Sequence, residues 1–219
     1  DILAGIDFAI ANRARFSIAA INMSLGAEIS QGNSLGYCDA IEPQYAAAFG
    51  AARSAGIAVV VASGNGGLSN ALSSPACVST AISVGAVYSQ QIGNVDWGLC
   101  EDGQIQPDRP TCFSNSNSNL SLLAPGAFWN VVTAGGGLQT FSGTSAAAPT
   151  AAGAVAVLKQ ARPSLSPAGL AGLLSATGKP VRTPSTGLLT PRIDLFAATQ
   201  LASANLVTYP GGAVSIPDG

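Results

Sequence analysis

Two polar side chains stand where apolar segments end, the places at which a packed protein presents chemistry. Ser145 lies in FSGTSAAAP, Phe141 to Pro149, behind a Gly-Thr pair and ahead of a run of alanines. The stretch from Thr144 to Ala161 is small or apolar on every face, which predicts a helix buried all round with Ser145 at its N-terminus and Pro149 confined to its first turn. Helix N-terminal amides are unsatisfied donors with partial positive charge. They would favour an oxygen anion developing beside Ser145 during acyl transfer. Taken alone, the same serine serves as a plain N-cap. Asn65 follows the apolar run Ile57 to Ala62 within SGNGG, so its amide would stand at the carboxyl end of a strand, where ligands of α/β sheets gather. Its alternatives are a turn residue or a phosphate-cradling loop. Gly64 and Gly66 fit the start of G-x-G-x-x-G, but Ser69 replaces the third glycine and no P-loop lysine follows.

The elements that would position these residues follow from periodicity. Ile2, Ile6 and Ile10 recur at i, i+4 and i+8, an amphipathic helix at the very start of the chain. Phe16 to Met23 reads as a buried strand emptying into Ser24, Leu25 and Gly26. Glu42 to Ala55 is a helix, with Pro43 in its first turn and Gly56 ending it. Ile57 to Ala62 and Ala81 to Val87 are strands, and Gly93 to Asn119 is polar and loop-like. Leu120 to Leu123 and Trp129 to Thr133 are further strands, with a tight turn at Gly135 to Gly137. Ser166 to Thr177, capped by Ser166 with Pro167 behind it, and Arg192 to Ala202 complete the helices. This order predicts an α/β fold with a parallel sheet. One domain, residues 1–204, is expected, with 205–219 as a tail or linker to a further module.

Composition narrows the partners. Charged residues are 9% of the chain, the net charge is -2 and nine Lys and Arg are scattered, so neither nucleic acid nor an anionic membrane surface is expected as a partner. The longest apolar run, Ala151 to Leu158, falls far short of the ~18 residues of a membrane span. The opening segment has no signal-peptide pattern and starts inside a helix, so the chain is expected to be a fragment of a longer polypeptide.

The four cysteines, with no C-x-x-C spacing and no histidine in the chain, make zinc improbable and leave two disulfides or four buried thiols. The favoured pairing is Cys38 with Cys77 and Cys100 with Cys112, the latter bracketing a polar segment, EDGQIQPDRPT, that looks like a loop insertion. Disulfides imply an oxidising compartment, and closing the Cys38–Cys77 loop would stabilise by about 4 kcal/mol on the chain-entropy model.

Set in order, INMSLG (Ile21 to Gly26), ASGNGG (Ala62 to Gly67), SPAC, ISVGAV, LLAPG (Leu122 to Gly126) and FSGTSAAAP with AAG resemble the blocks of the subtilisin-like serine proteases. The resemblance covers nearly all of Asp1 to Ala202. It implies a three-layer fold, a mostly parallel central sheet flanked by helices, incomplete on its N-terminal side. It further implies that Ser145 is the nucleophile and that Asn65 completes the oxyanion hole. By the same likeness Ser24, Leu25 and Gly26 pair with the substrate peptide, while Ala62, Ser63 and Gly64 wall the pocket for the residue before the cleaved bond. The family's chain order puts an aspartate and a histidine ahead of the serine, hence ahead of Asp1. The expected function is therefore a secreted serine endopeptidase acting on polypeptides, completed by the missing N-terminal part of its domain, with this chain alone inactive. The alternative is a catalytically dead peptide-binding or scaffold module. Ala146 and Thr150 depart from the family's usual methionine and histidine at those places. Ala147 in the second position after the serine excludes the G-x-S-x-G elbow of the α/β-hydrolases. No cofactor or metal is expected on this chain, although the complete domain could hold calcium, which is common in the family. A sheet beginning upstream also implies an unpaired strand edge and an exposed apolar face on the first helix, with aggregation of the chain alone.

Overall fold

The computed structural model describes residues 2–27 and 36–204, with the backbone of 208–209 and 212–213. The chain opens with α1 (Ile2–Ala11), a single turn α2 (Arg13–Phe16) and β1 (Ala20–Met23), followed by α3 (Pro43–Ser54), β2 (Ala58–Ala62) and β3 (Ile82–Val87). A small hairpin, β4 (Val95–Asp96) and β5 (Glu101–Asp102), precedes β6 (Leu122–Pro125) and a second hairpin, β7 (Trp129–Val132) with β8 (Leu138–Phe141). Then come α4 (Thr144–Ala161), α5 (Pro167–Thr177), β9 (Lys179–Arg182), β10 (Leu189–Arg192) and α6 (Leu195–Ser203). The central sheet has the order β1-β2-β3-β6-β10-β9, parallel throughout except for β9, which is antiparallel to β10.

Burial on both faces explains why β2, AVVVA, shows no alternation in sequence. Ala58, Val60 and Ala62 pack with Ala147, Ala151 and Val155 of α4 and with Leu170 and Ala198 of α5 and α6. Val59 and Val61 pack instead with Ile6, Phe49 and Ala52 of α1 and α3. Helices thus cover both sides of the sheet, giving the three layers expected. Alanines along α4 let its backbone lie close over the strands, and this seats Ser145 at the carboxyl ends of β1 and β2.

Several expectations change. Phe16 ends α2 and is exposed, so the first strand is shorter than Phe16 to Met23. The last helix starts at Leu195, capped by Asp194, whose carboxylate accepts from Ala197 N at 3.0 Å; Arg192 belongs to β10. Helix α4 is buried on one side only, with Pro149, Gly153, Ala156 and Val157 exposed. Alanine and glycine read as apolar in every direction and hide which face packs. The stripe of α1 is packed in part: Ile6 is 2% accessible, with Leu3 and Ile10 against the same cluster, while Ile2 is 40% exposed. Nothing pairs with the outer edge of β1 among the described residues. The polar stretch after Gly26, from 28 to 35, lies outside the described residues. So does the expected tail, 205–219, except for the antiparallel pair Thr208–Tyr209 and Gly212–Ala213.

The disulfides are Cys38–Cys77 and Cys100–Cys112, the favoured pairing.

Candidate active site

Helix α4 begins where Gly143, at φ 146°, turns the chain out of β8. The N–H of Thr144 and its hydroxyl both lie 2.9 Å from Asn65 Oδ1, and that hydroxyl accepts from Gly64 N at 3.2 Å. A backbone N–H can only donate, so the oxygen end of the Asn65 amide is the one held, and its Nδ2 is left to donate elsewhere. The Asn65 Nδ2 and Ser145 N atoms border one hollow: a Cβ built on Gly143 would sit 3.5 Å from the first and 3.6 Å from the second. Neither donor meets an acceptor among the described residues. Two unpaired N–H donors beside a serine hydroxyl, one at a helix N-terminus, form an arrangement able to hold an oxygen anion.

The loop carrying Asn65 is shaped from beneath by Asn115, fully buried. Its Oδ1 accepts from Gly66 N and Leu68 N, both at 3.0 Å, and its Nδ2 donates to Ser73 Oγ at 3.1 Å. Gly64 is required there: at φ 109° a Cβ would lie 2.1 Å from Ser73 Oγ and 2.3 Å from Asn115 Nδ2. Ser63 does not line the pocket. Its buried hydroxyl donates to Asn115 O at 3.0 Å, leaving Ala62 and Gly64 on the pocket wall with Ser24, Leu25, Gly26 and Ser73. The main-chain groups of Leu25 and Gly26 make no hydrogen bond among the described residues, so an extended peptide could pair with them.

Pro149 is the sixth residue of α4 rather than a first-turn residue, a correction with a physical reason. A proline at this place gives no N–H to the carbonyl four residues back, Ser145 O. The Ser24 hydroxyl donates to that oxygen at 2.7 Å, while Ser145 Oγ donates to Ser24 O at 3.3 Å. Ser24 therefore ties the first turn of α4 to the loop that follows β1. In the full-length protein, Ser24→Ala is expected to lower kcat about tenfold, the equivalent of one hydrogen bond. Pro149→Ala in that background should restore most of the loss by returning the helical N–H. Simple additivity of the two effects in steady-state kinetics would refute this coupling.

Sequence reasoning brought together Ser145, Asn65, Ser24, Leu25, Gly26, Ala62 and Gly64, all of which border one hollow in the structure. It passed over Gly143, Thr144, Ser73 and Asn115. Gly143 was legible as the glycine before Thr-Ser, whereas Asn115 sits in a polar stretch with nothing to mark it as buried.

A profile of the subtilase family matches residues 1–195. The chain belongs to the subtilase family. Among subtilases it is 31% identical over 181 residues to alkaline serine exoprotease A of Vibrio alginolyticus, covering 81% of this chain and 28% of that protein. It is 31% identical over 200 residues to the extracellular serine proteinase of Thermus sp. (strain Rt41A), covering 89% of this chain and 40% of that protein. The crystal structure of a cold adapted subtilisin-like serine proteinase superposes with a TM-score of 0.65 at 27% identity, covering 87% of this chain and 59% of that one. The chain thus spans two-fifths or less of the length of these two subtilase relatives. Their names place both among proteases, and one of them outside the cell.

Proposed function

We propose that this chain is the carboxyl-terminal part of the catalytic domain of a secreted subtilase endopeptidase. The observation that carries the reading is the anchoring of Asn65 Oδ1 by Thr144, which leaves Nδ2 as a free donor close to the Ser145 amide. In this mechanism a polypeptide pairs with Ser24, Leu25 and Gly26 and sets its residue before the scissile bond against Ala62 and Gly64. The Ser145 hydroxyl attacks the carbonyl carbon and passes its proton to a histidine, oriented by an aspartate, on the preceding segment. Asn65 Nδ2 and Ser145 N hold the anion. The proton then leaves with the amine, and water hydrolyses the acyl-enzyme. The mechanism requires no cofactor, and any calcium is assigned to the complete domain.

Base activation is the missing piece. No histidine occurs in the chain, and the hydroxyl of Ser145 rests on a carbonyl oxygen, which holds a hydrogen bond but cannot take a proton. The purified 219-residue chain should accordingly hydrolyse no generic peptide substrate, while the full-length protein does. Turnover by the isolated chain, with contaminating protease excluded by Ser145→Ala, would contradict this division of labour. A full-length protein that is also inert would favour the scaffold reading.

A further inference from the structure

The segment bracketed by Cys100 and Cys112 has no part in the proposed chemistry, yet hydrogen bonds, an ion pair and a disulfide tie it down. Asp102 is 3% accessible and accepts from Tyr88 OH and Cys112 N, both at 2.8 Å, while pairing with Arg109 at 3.2 Å. Burial, and then the Asp102 bond, push the Tyr88 phenol well above its usual range, so it stays a donor. The Trp97 indole N–H donates to Tyr88 OH at 2.9 Å, and its ring stacks on Phe128 and meets the Phe113 ring edge-on with centroids 4.8 Å apart. The Cys100–Cys112 disulfide closes the platform.

At the tip of this hairpin Leu99 is 61% exposed. It leans on the Asn65 loop, where a Cβ built on Gly67 would lie 3.7 Å from Leu99 Cδ2. Leu99 and Asn65 border two hollows. One is the pocket of Ser24, Ala62 and Gly64; the other, about 210 Å³, is walled by Trp97, Phe113, Ser142 and Gly143. This second hollow touches none of the peptide-pairing residues, and it is smaller than the roughly 300–1,000 Å³ of a small-molecule site. No charged residue lines it. A rigid apolar wall held open to solvent gains by covering an apolar side chain.

We propose that Leu99, carried on the disulfide-closed hairpin with Trp97, determines specificity on the leaving side of the scissile bond, selecting an apolar or aromatic residue immediately after it. The proposal rests on the endopeptidase reading above. The hollow shares Asn65 with the site and none of Ser24, Leu25 or Gly26, so it is open to the part of a peptide that has passed Asn65 and left that strand. Leu99 contributes apolar contact to the leaving residue and no group to the chemistry.

The test uses the full-length protein and internally quenched peptides identical up to the scissile bond and bearing Phe, Leu, Ala or Glu directly after it. The wild type should prefer Phe and Leu. Leu99→Ala should lower kcat/KM about tenfold for the Phe peptide, the worth of a few methylene contacts, and less than about twofold for Ala and Glu. Leu99→Lys should raise the Glu peptide several-fold over wild type. Because Leu99 is mostly exposed, neither variant threatens folding. Equal losses on all four peptides would overturn the proposal while leaving the peptidase reading intact. A wild type that cuts none of them and takes up no fluorophosphonate would overturn that reading, and the proposal with it.

Discussion

On the proposed function, replacing Ser145 with alanine in the full-length protein should lower kcat by about 10⁶-fold and leave the fold intact. That magnitude is the one known for loss of the nucleophile in subtilisin, a member of the same family, and is carried over rather than derived. The structural part of the argument is the small cost to stability. Ser145 is half-buried and its hydroxyl gives one long bond, 3.3 Å to Ser24 O, while the tighter bond at this junction uses the Ser145 carbonyl, which alanine keeps. Thermal unfolding of Ser145→Ala should therefore match the wild type within a few degrees. A variant that loses activity only because it unfolds would not support a catalytic serine, so the two measurements belong together.

Gly143→Ala should also lower turnover strongly, for a different reason. The added methyl meets nothing closer than 3.5 Å, so it does not clash. It occupies the hollow that Asn65 Nδ2 and Ser145 N both border, and displaces whatever oxygen those donors would hold. In addition, φ 146° is unfavourable for any residue but glycine, which pushes the start of α4 to relax and move Ser145. Removing one oxyanion donor costs about 10²- to 10³-fold in kcat, a figure that again comes from subtilisin. Gly143→Ala is expected to reach at least the lower end of that range, with KM little changed, and Asn65→Leu to fall within it. Activity within a few-fold of wild type for Gly143→Ala would mean that the anion is held elsewhere.

How much of this was legible beforehand depends on what each residue type reveals. Parallel strands buried on both faces announce themselves as unbroken apolar runs, so Ala58–Ala62 and Ile82–Val87 were read within a residue of their bounds. Helix ends with a capping serine and a following proline were equally plain, and Ser166 accepts from Gly169 N at 3.1 Å as that pattern requires. Strands β9 and β10 were missed because each is short, carries a proline and is partly exposed. Their pairing depends on neighbours far away in sequence. The burial of α4 was overstated because alanine and glycine carry no directional signal.

At the site, Ser145 and Asn65, which border the hollow, were legible, and the residues that hold them in place were not. Ser145 and Asn65 sit at strand or helix ends with the chemistry that acyl transfer needs. Thr144 and Asn115 act by turning other groups, and a polar residue fully buried inside a polar loop looks, in sequence, like any solvated one. The same is true of Asp102, whose three partners hold the hairpin that presents Leu99. The Pro149 and Ser24 pairing shows the limit most clearly. A helix-breaking residue was recognised, but the hydroxyl that compensates for it lies 121 positions away in sequence from the carbonyl it bonds.

The central claim, that Ser145 is the attacking group, is tested most directly by treating the full-length protein with a fluorophosphonate and locating the adduct by mass spectrometry. The expected result is a single phosphonylated residue, Ser145, with no adduct in the Ser145→Ala variant. Modification of a different serine, or labelling that survives that substitution, would contradict it.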